Sequence, residues 1–265
     1  MRISNKAVIQ SLIVAIGLFI AQPLLAETIH LFGKIGDFPI GASLNRDEEE
    51  LTGWYFYQSR AKKIRLEGNI DRQGTFRMEE SSGNEKTGIF EGSVRQGRWA
   101  GTWRKAMGAA PLTFALEENR TLLQNVTGRY DCTAKERDAQ HHYTYQWKLK
   151  LALADGVVKE LAADQGAYGD DRDEQTCSLR LKDLKQVVST VGILLQARHV
   201  DSEEEARKCT VRILGDTDSL WVRFGDSSEE GNDCRGTGST MFCSPRAFWN
   251  DVIVDRRTQK CRALR

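Results

Sequence analysis

Eight short segments of alternating apolar and polar residues, spaced so closely that only tight turns fit between them, set the strongest limit on how this chain folds. They cover residues 29–35, 38–44, 53–57, 63–70, 74–79, 87–94, 98–105 and 112–116. Gly, Asn, Asp and Pro at 71–74, 81–84, 96–97 and 107–111 supply the reversals. Within one segment Ile64, Leu66, Gly68 and Ile70 are apolar or small, while Arg65, Glu67 and Asn69 face the other way. Strands joined this briefly are neighbours in an antiparallel meander, and eight twisted strands tend to close on themselves, which removes their exposed edges. The expectation is a small eight-stranded barrel over residues 27–120, a stretch without cysteine.

Residues 121–265 are a second unit with a different brace. Tyr143, Tyr145, Trp147, Leu149, Leu151 and Leu153 alternate with polar residues in a long period-two run, which predicts a strand. Further strands are expected at 177–181, 187–196, 209–213 and 220–224, the last two joined by a hairpin turn at 215–219. Acidic stretches at 164–174, 201–205 and 226–233 read as loops. All six cysteines, Cys132, Cys177, Cys209, Cys234, Cys243 and Cys261, lie in this half. The fold class expected for the whole is therefore all-β: a meander barrel followed by a disulfide-braced, mainly β domain.

The first 26 residues explain the cysteines. Arg2 and Lys6 precede an apolar run over 12–21, then come Gln22 and Pro23 and a small residue, Ala26, in the order of an export signal. The run falls short of the roughly 20 residues that span a bilayer. No cysteine follows it to carry an acyl anchor, so the mature chain is expected in the periplasm or the medium, with no stable membrane anchor after cleavage. Cysteines delivered to an oxidising compartment pair, and an even count suits three disulfides. Spacing does not decide the pairing, but Cys132 and Cys261 look like a first-to-last staple.

Composition excludes some functions. Removing residues 1–26 takes away two cations and no anion, which turns a formal charge of +1 into −1. Cations and anions are interspersed, so nucleic acid is not expected as a partner. No two cysteines have the close spacing of a zinc site, and neither a metal nor a cofactor is expected. His141 and His142 are adjacent and would point to opposite faces of a strand. No G-x-S-x-G phrase accompanies a serine, and no catalytic residue is assigned.

Two sets of residues are candidates for binding. Residues 241–251 combine Cys243 with Pro245, Arg246, Phe248 and Trp249 just after Gly236-Thr237-Gly238, and a loop of that kind presents Arg246 and Trp249 as anchors for a partner. Tyr55 and Tyr57 of the first unit are the second set, within an aromatic group that includes Trp54, Phe56, Trp99 and Trp103.

The phrases Gly53-Trp54-Tyr55-Phe56-Tyr57, Gly88-Ile89-Phe90-Glu91-Gly92 and Gly101-Thr102-Trp103 resemble the eight-stranded Gly-aromatic meander of poorly characterised secreted bacterial proteins. They are more distantly similar to the small ligand-binding barrels of the avidin and lipocalin type. Tyr130-Asp131-Cys132 resembles the opening of bacterial lysozyme inhibitors. The first resemblance implies a barrel and nothing firmer about a ligand. Together with the export signal, the disulfide-braced β domain and the loop at 241–251, the expectation is an exported, non-enzymatic binding protein of the envelope, directed at another envelope or extracellular protein, and the resemblance to lysozyme inhibitors implies inhibition of a wall-degrading enzyme as one form. A carrier with a small ligand in the first barrel is the alternative, and a hydrolase of envelope polymers a third.

Overall fold

The computed structural model describes residues 27–106, 108, 110–118, 123–138, 143–169, 172–187, 192–199, 208–224, 237–238 and 251–264. Strands β1 (Glu27–Ile35), β2 (Phe38–Asp47), β3 (Glu50–Tyr57), β4 (Lys63–Ile70), β5 (Thr75–Ser82), β6 (Glu85–Arg95), β7 (Arg98–Lys105) and β8 (Leu112–Glu118) follow one another as an antiparallel meander. Pairing of β1 with β8 closes the barrel. Each strand falls on one of the alternating segments of the sequence, so the expected eight-stranded barrel is the one the chain adopts. No helix occurs among the described residues.

Alternation decides what fills the barrel. Leu31 and Ile35 of β1, Ile40, Ala42 and Leu44 of β2, and Leu51 and Tyr55 of β3 point inward with Leu66, Ile70, Phe76, Met78, Phe90, Trp99, Phe114 and Leu116. Their rings pack edge-on or tilted, Phe76 against Trp99 at 4.9 Å and Phe90 against Phe114 at 5.3 Å between centroids. Closing so small a barrel needs close backbone approach on its inner wall. Gly92 and Gly101 face each other across β6 and β7, and a Cβ on Gly101 would stand 2.0 Å from the carbonyl oxygen of Glu91. Only glycine fits there.

The second sheet contains β9 (Gly128–Asp138), β10 (Tyr143–Ala154), β11 (Val157–Gly169), β12 (Arg172–Val187), β13 (Ile193–His199), β14 (Lys208–Gly215), β15 (Ser219–Phe224), the two-residue β16 (Thr237–Gly238), β17 (Val252–Asp255) and β18 (Cys261–Ala263). All neighbours are antiparallel, in the order β9 to β15, then β17 and β18, with β16 against β12. This sheet curls around one core, drawn from β9 through β18, until its end strands meet. A Cys132–Cys261 disulfide joins them, with Cα atoms 5.6 Å apart. The expected first-to-last staple is thus present, and it closes the one seam that has no hydrogen-bonded ladder among the described residues. Cys177 and Cys209 lie on β12 and β14, their side chains outside the described set; Cys234 and Cys243 are also outside it.

Two expectations for this half need correction. Residues 164–174, read as a loop, belong largely to the β11–β12 hairpin, where Asp164 pairs with Ser178 and Ala167 with Gln175. A sheet covered on one face tolerates polar side chains on the other, so local polarity did not separate strand from loop. The strand expected over 187–196 divides: Val187 ends β12, Ile193 begins β13, and Val187 pairs with Leu194. Gly192, at φ +66°, sits in the reversal. The acidic stretches at 201–205 and 226–233 and the export signal lie outside the described residues.

The two sheets share a junction that neither core contains. Strand alternation sends Leu220, Val222 and Phe224 into the second core and Trp221 outward, and likewise Val252 and Val254 inward and Ile253 outward. On the first barrel β1 and β3 turn Phe32 and Phe56 outward to meet them, with Ala61 from the β3–β4 loop and Leu214 and Leu264 from the second sheet. Trp221 is fully buried. Four rings of the first barrel surround its indole: His30 at 5.5 Å, Phe32 at 6.1 Å, Trp54 at 5.1 Å and Phe56 at 5.4 Å.

Candidate functional site

Beside the aromatic junction the two sheets part, leaving a cleft of about 310 Å³ lined by Pro39, Gln58, Ser59, Asp218, Ser219, Ile253, Asp255, Arg257 and Arg262. Register explains which residues face it. Trp221, Ile253 and Arg262 are directly opposed across β15, β17 and β18, so all three project from the same face toward the first barrel. Ser219 and Asp255 form the adjoining row on that face. Trp221 and Ile253 belong to the junction; Arg262, at the end of its row, reaches the open side and is half-buried.

Capped turns hold the rim. Asp216 Oδ1 accepts hydrogen bonds from the backbone N–H groups of Asp218 (2.9 Å) and Ser219 (2.8 Å), fixing the β14–β15 turn as an Asx turn. Its Oδ2 receives Gln58 Nε2 at 3.4 Å, a tie from the second sheet to the barrel. Asp255 Oδ1 accepts from the N–H groups of Arg257 (3.1 Å) and Thr258 (2.8 Å) in the β17–β18 turn. Burial works to raise the Asp255 carboxyl, but the donors from Thr258 and Arg257 outweigh it and hold it below its usual value. Arg256 then bolts the turns together. Its guanidinium donates to the carbonyl oxygens of Asp216 and Thr217, both at 3.0 Å, and to Tyr130 Oη at 3.2 Å.

At the opposite flank of Trp221 lies a buried charge cluster. Asp251 accepts from Trp221 Nε1 at 2.9 Å and pairs with Arg223 Nε at 3.3 Å. Arg223 also stands over the Trp221 ring at 5.1 Å and approaches His30 Nε2 of β1 at 3.5 Å. Burial raises the Asp251 carboxyl above its ordinary value, although Arg223 and Lys63 oppose the shift. The cluster is sealed between the sheets, which suits holding them in register rather than meeting a substrate.

A third polar group sits inside the first barrel. Glu80, only 6 % exposed, accepts from Tyr55 Oη (2.7 Å), Trp103 Nε1 (2.8 Å) and Thr87 Oγ1 (2.5 Å). Gly88 leaves the room, since a Cβ there would meet both Trp103 Nε1 and Glu80. Burial, with the Glu80 charge added, holds the Tyr55 phenol protonated far above its ordinary range, and burial also raises Tyr57. Three donors on one carboxylate make this a satisfied network.

Of the binding candidates from the sequence, Tyr55 and Tyr57 lie among the described residues. Tyr55 is buried in the barrel interior on Glu80, not at a surface. Tyr57 is half-buried near that barrel end, edge-on to the 56 %-exposed Phe38 at 6.2 Å. Trp54 and Phe56 of the same aromatic group face outward into the junction, because residues two apart share a face and neighbours do not. Arg246 and Trp249 lie outside the described residues, as do His141 and His142. Among the described residues no three His, Cys, Asp or Glu side chains are grouped to hold a metal ion.

Sequence reasoning missed the cleft residues. Gln58, Ser59, Asp218, Arg257 and Arg262 come from turns and strand ends far apart in the chain, and only the signal of a hairpin turn at 215–219 marked any of them. No family model, no curated protein and no solved structure matches this chain.

Proposed function

We propose that the chain is an exported binding protein of the cell envelope that engages another protein through the cleft between the barrel and the second sheet. One observation carries this reading: the first barrel is filled by its own rings, while an open, polar concavity lies where the two sheets are fastened together. A pre-organised surface of that kind loses little conformational freedom on binding. The Cys132–Cys261 disulfide supports an oxidising compartment. The ring-filled interior counts against a small-ligand carrier. Tyr130 and Cys132, whose phrase resembles the opening of lysozyme inhibitors, anchor the seam of the second sheet, which makes a wall-degrading enzyme the first partner to try.

The test uses the chain over residues 27–265 and a variant with the cleft plugged, Ser59→Trp. Immobilised protein should retain a partner from an envelope extract that the plugged variant releases. In a turbidity assay with a muramidase, the wild-type chain should slow the clearing of a wall suspension. Equal retention by both forms would rule out the cleft, and retention of nothing would rule out the binding function.

A further inference from the structure

The chemistry of the cleft narrows what it takes. Arg257 and Arg262 line it, and neither guanidinium forms an ion pair or side-chain hydrogen bond among the described residues. Arg262 is half-buried on the row that ends in the junction, so its position is set by the same sheet face as Trp221. An arginine held in a concave site offers a rigid fork of donors that matches a carboxylate. Asp255 is turned to the N–H groups of its own turn and feels the Arg257 charge, while no acidic side chain among the described residues pairs with Arg262. Asp218 lines the cleft too, and its carboxylate has no side-chain partner among the described residues.

Two arginines and two aspartates leave the lining with no net formal charge. A dianionic phosphate would face two aspartates as well as two arginines in this lining, whereas a single carboxylate flanked by N–H donors has a use for both signs of charge. A polypeptide offers that combination, a carboxylate with peptide N–H groups beside it. The volume, about 310 Å³, suits a few side-chain or terminal atoms rather than a folded element. We propose that the cleft binds a carboxylate carried by a partner polypeptide, on Arg262 and Arg257, with Asp218 receiving neighbouring N–H groups. This rests on the cleft being the contact surface, as argued above. The carboxylate belongs to an acidic side chain or to a chain terminus.

Arginine Nε–Hε resonances of the 27–265 chain, followed during titration, test the proposal. The probes are N-acetyl-glutamate amide for the side-chain source, N-acetyl-alanyl-alanine for the terminal source, and N-acetyl-alanyl-alanine amide as the control without a carboxylate. Saturable shifts with either acid and not with the amide are expected, and the stronger of the two identifies the source. Arg262→Gln should weaken binding at least about tenfold, the range of a lost charge-assisted hydrogen bond, with an unchanged melting temperature. Shifts that never saturate, that appear equally with the amide, or that survive Arg262→Gln would overturn it. A partner released by Ser59→Trp but retained by the Arg257→Gln, Arg262→Gln pair would overturn the carboxylate while leaving the cleft in place. A partner retained by all three would overturn both.

Discussion

Trp221 concentrates the cost of joining the two sheets in one side chain. It is fully buried, contacts four rings of the first barrel and donates to a buried carboxylate. Trp221→Ala should cost about 3 to 5 kcal/mol, the usual range for emptying a large aromatic site, and denaturant unfolding measures it directly. Glu80 makes a contrasting case inside the barrel. Glu80→Ala would remove the acceptor of the buried Tyr55 hydroxyl and of the half-buried Trp103 indole N–H, at about 1 to 3 kcal/mol in all, and the same unfolding experiment should register the loss. Asp251 adds a pH dependence with a definite sign. Its carboxyl is raised in the folded state, so between the usual value of 3.8 and that raised value the folded chain binds more proton than the unfolded one. The Asp251 contribution to stability therefore grows as pH falls through this window and is lost as pH rises. Subtracting the stability curve of Asp251→Asn from that of the wild type should leave a difference that declines with increasing pH across the window.

Among the elements, β9 and β18 carry the closure of the second sheet, one on each side of a seam bridged by Cys132 and Cys261 and by the Arg256–Tyr130 hydrogen bond. The bridge spans a sequence separation of 129 residues. Restricting a loop of that length in the unfolded chain is worth about 3 to 5 kcal/mol, so Cys132→Ser with Cys261→Ala should shift the guanidinium midpoint of the second sheet's unfolding by a matching amount. A non-reducing digest of the native protein should contain one peptide pair joining Cys132 to Cys261, with the remaining four cysteines in two further bridges. The long period-two run in β10 was legible because one face is buried and the other wet. By contrast β11, rich in small and polar residues, and the short β17 and β18 were not, since their burial comes from partners distant in the chain.

On the scale of the whole molecule, the first barrel has its own core but not its own complete surface. A fragment of residues 27–118 should keep its β-sheet signal with or without reductant, because it contains no cysteine and, among the described residues, none of the second sheet enters that core. It would, however, expose His30, Phe32, Trp54 and Phe56, and should self-associate on size exclusion, where the intact chain runs as one species. Eight strands, their order and the barrel follow from local alternation and brief turns, information carried within each dozen residues. The Cys132–Cys261 bridge agrees with the expected staple, but cysteine spacing did not decide it; only the meeting of β9 and β18 brings the two sulfurs together. What the alternation left open was which side of a strand meets what. Phe56 and Tyr55 are neighbours of like character, and period two places them on opposite faces, but only docking of the second sheet makes the outer face as dry as the inner one. The cleft arises from the same docking. Arg262 and Ser59, 203 positions apart in the chain, line one cleft because two curved surfaces that touch at an aromatic junction diverge at its margin, and no sequence window contains that geometry.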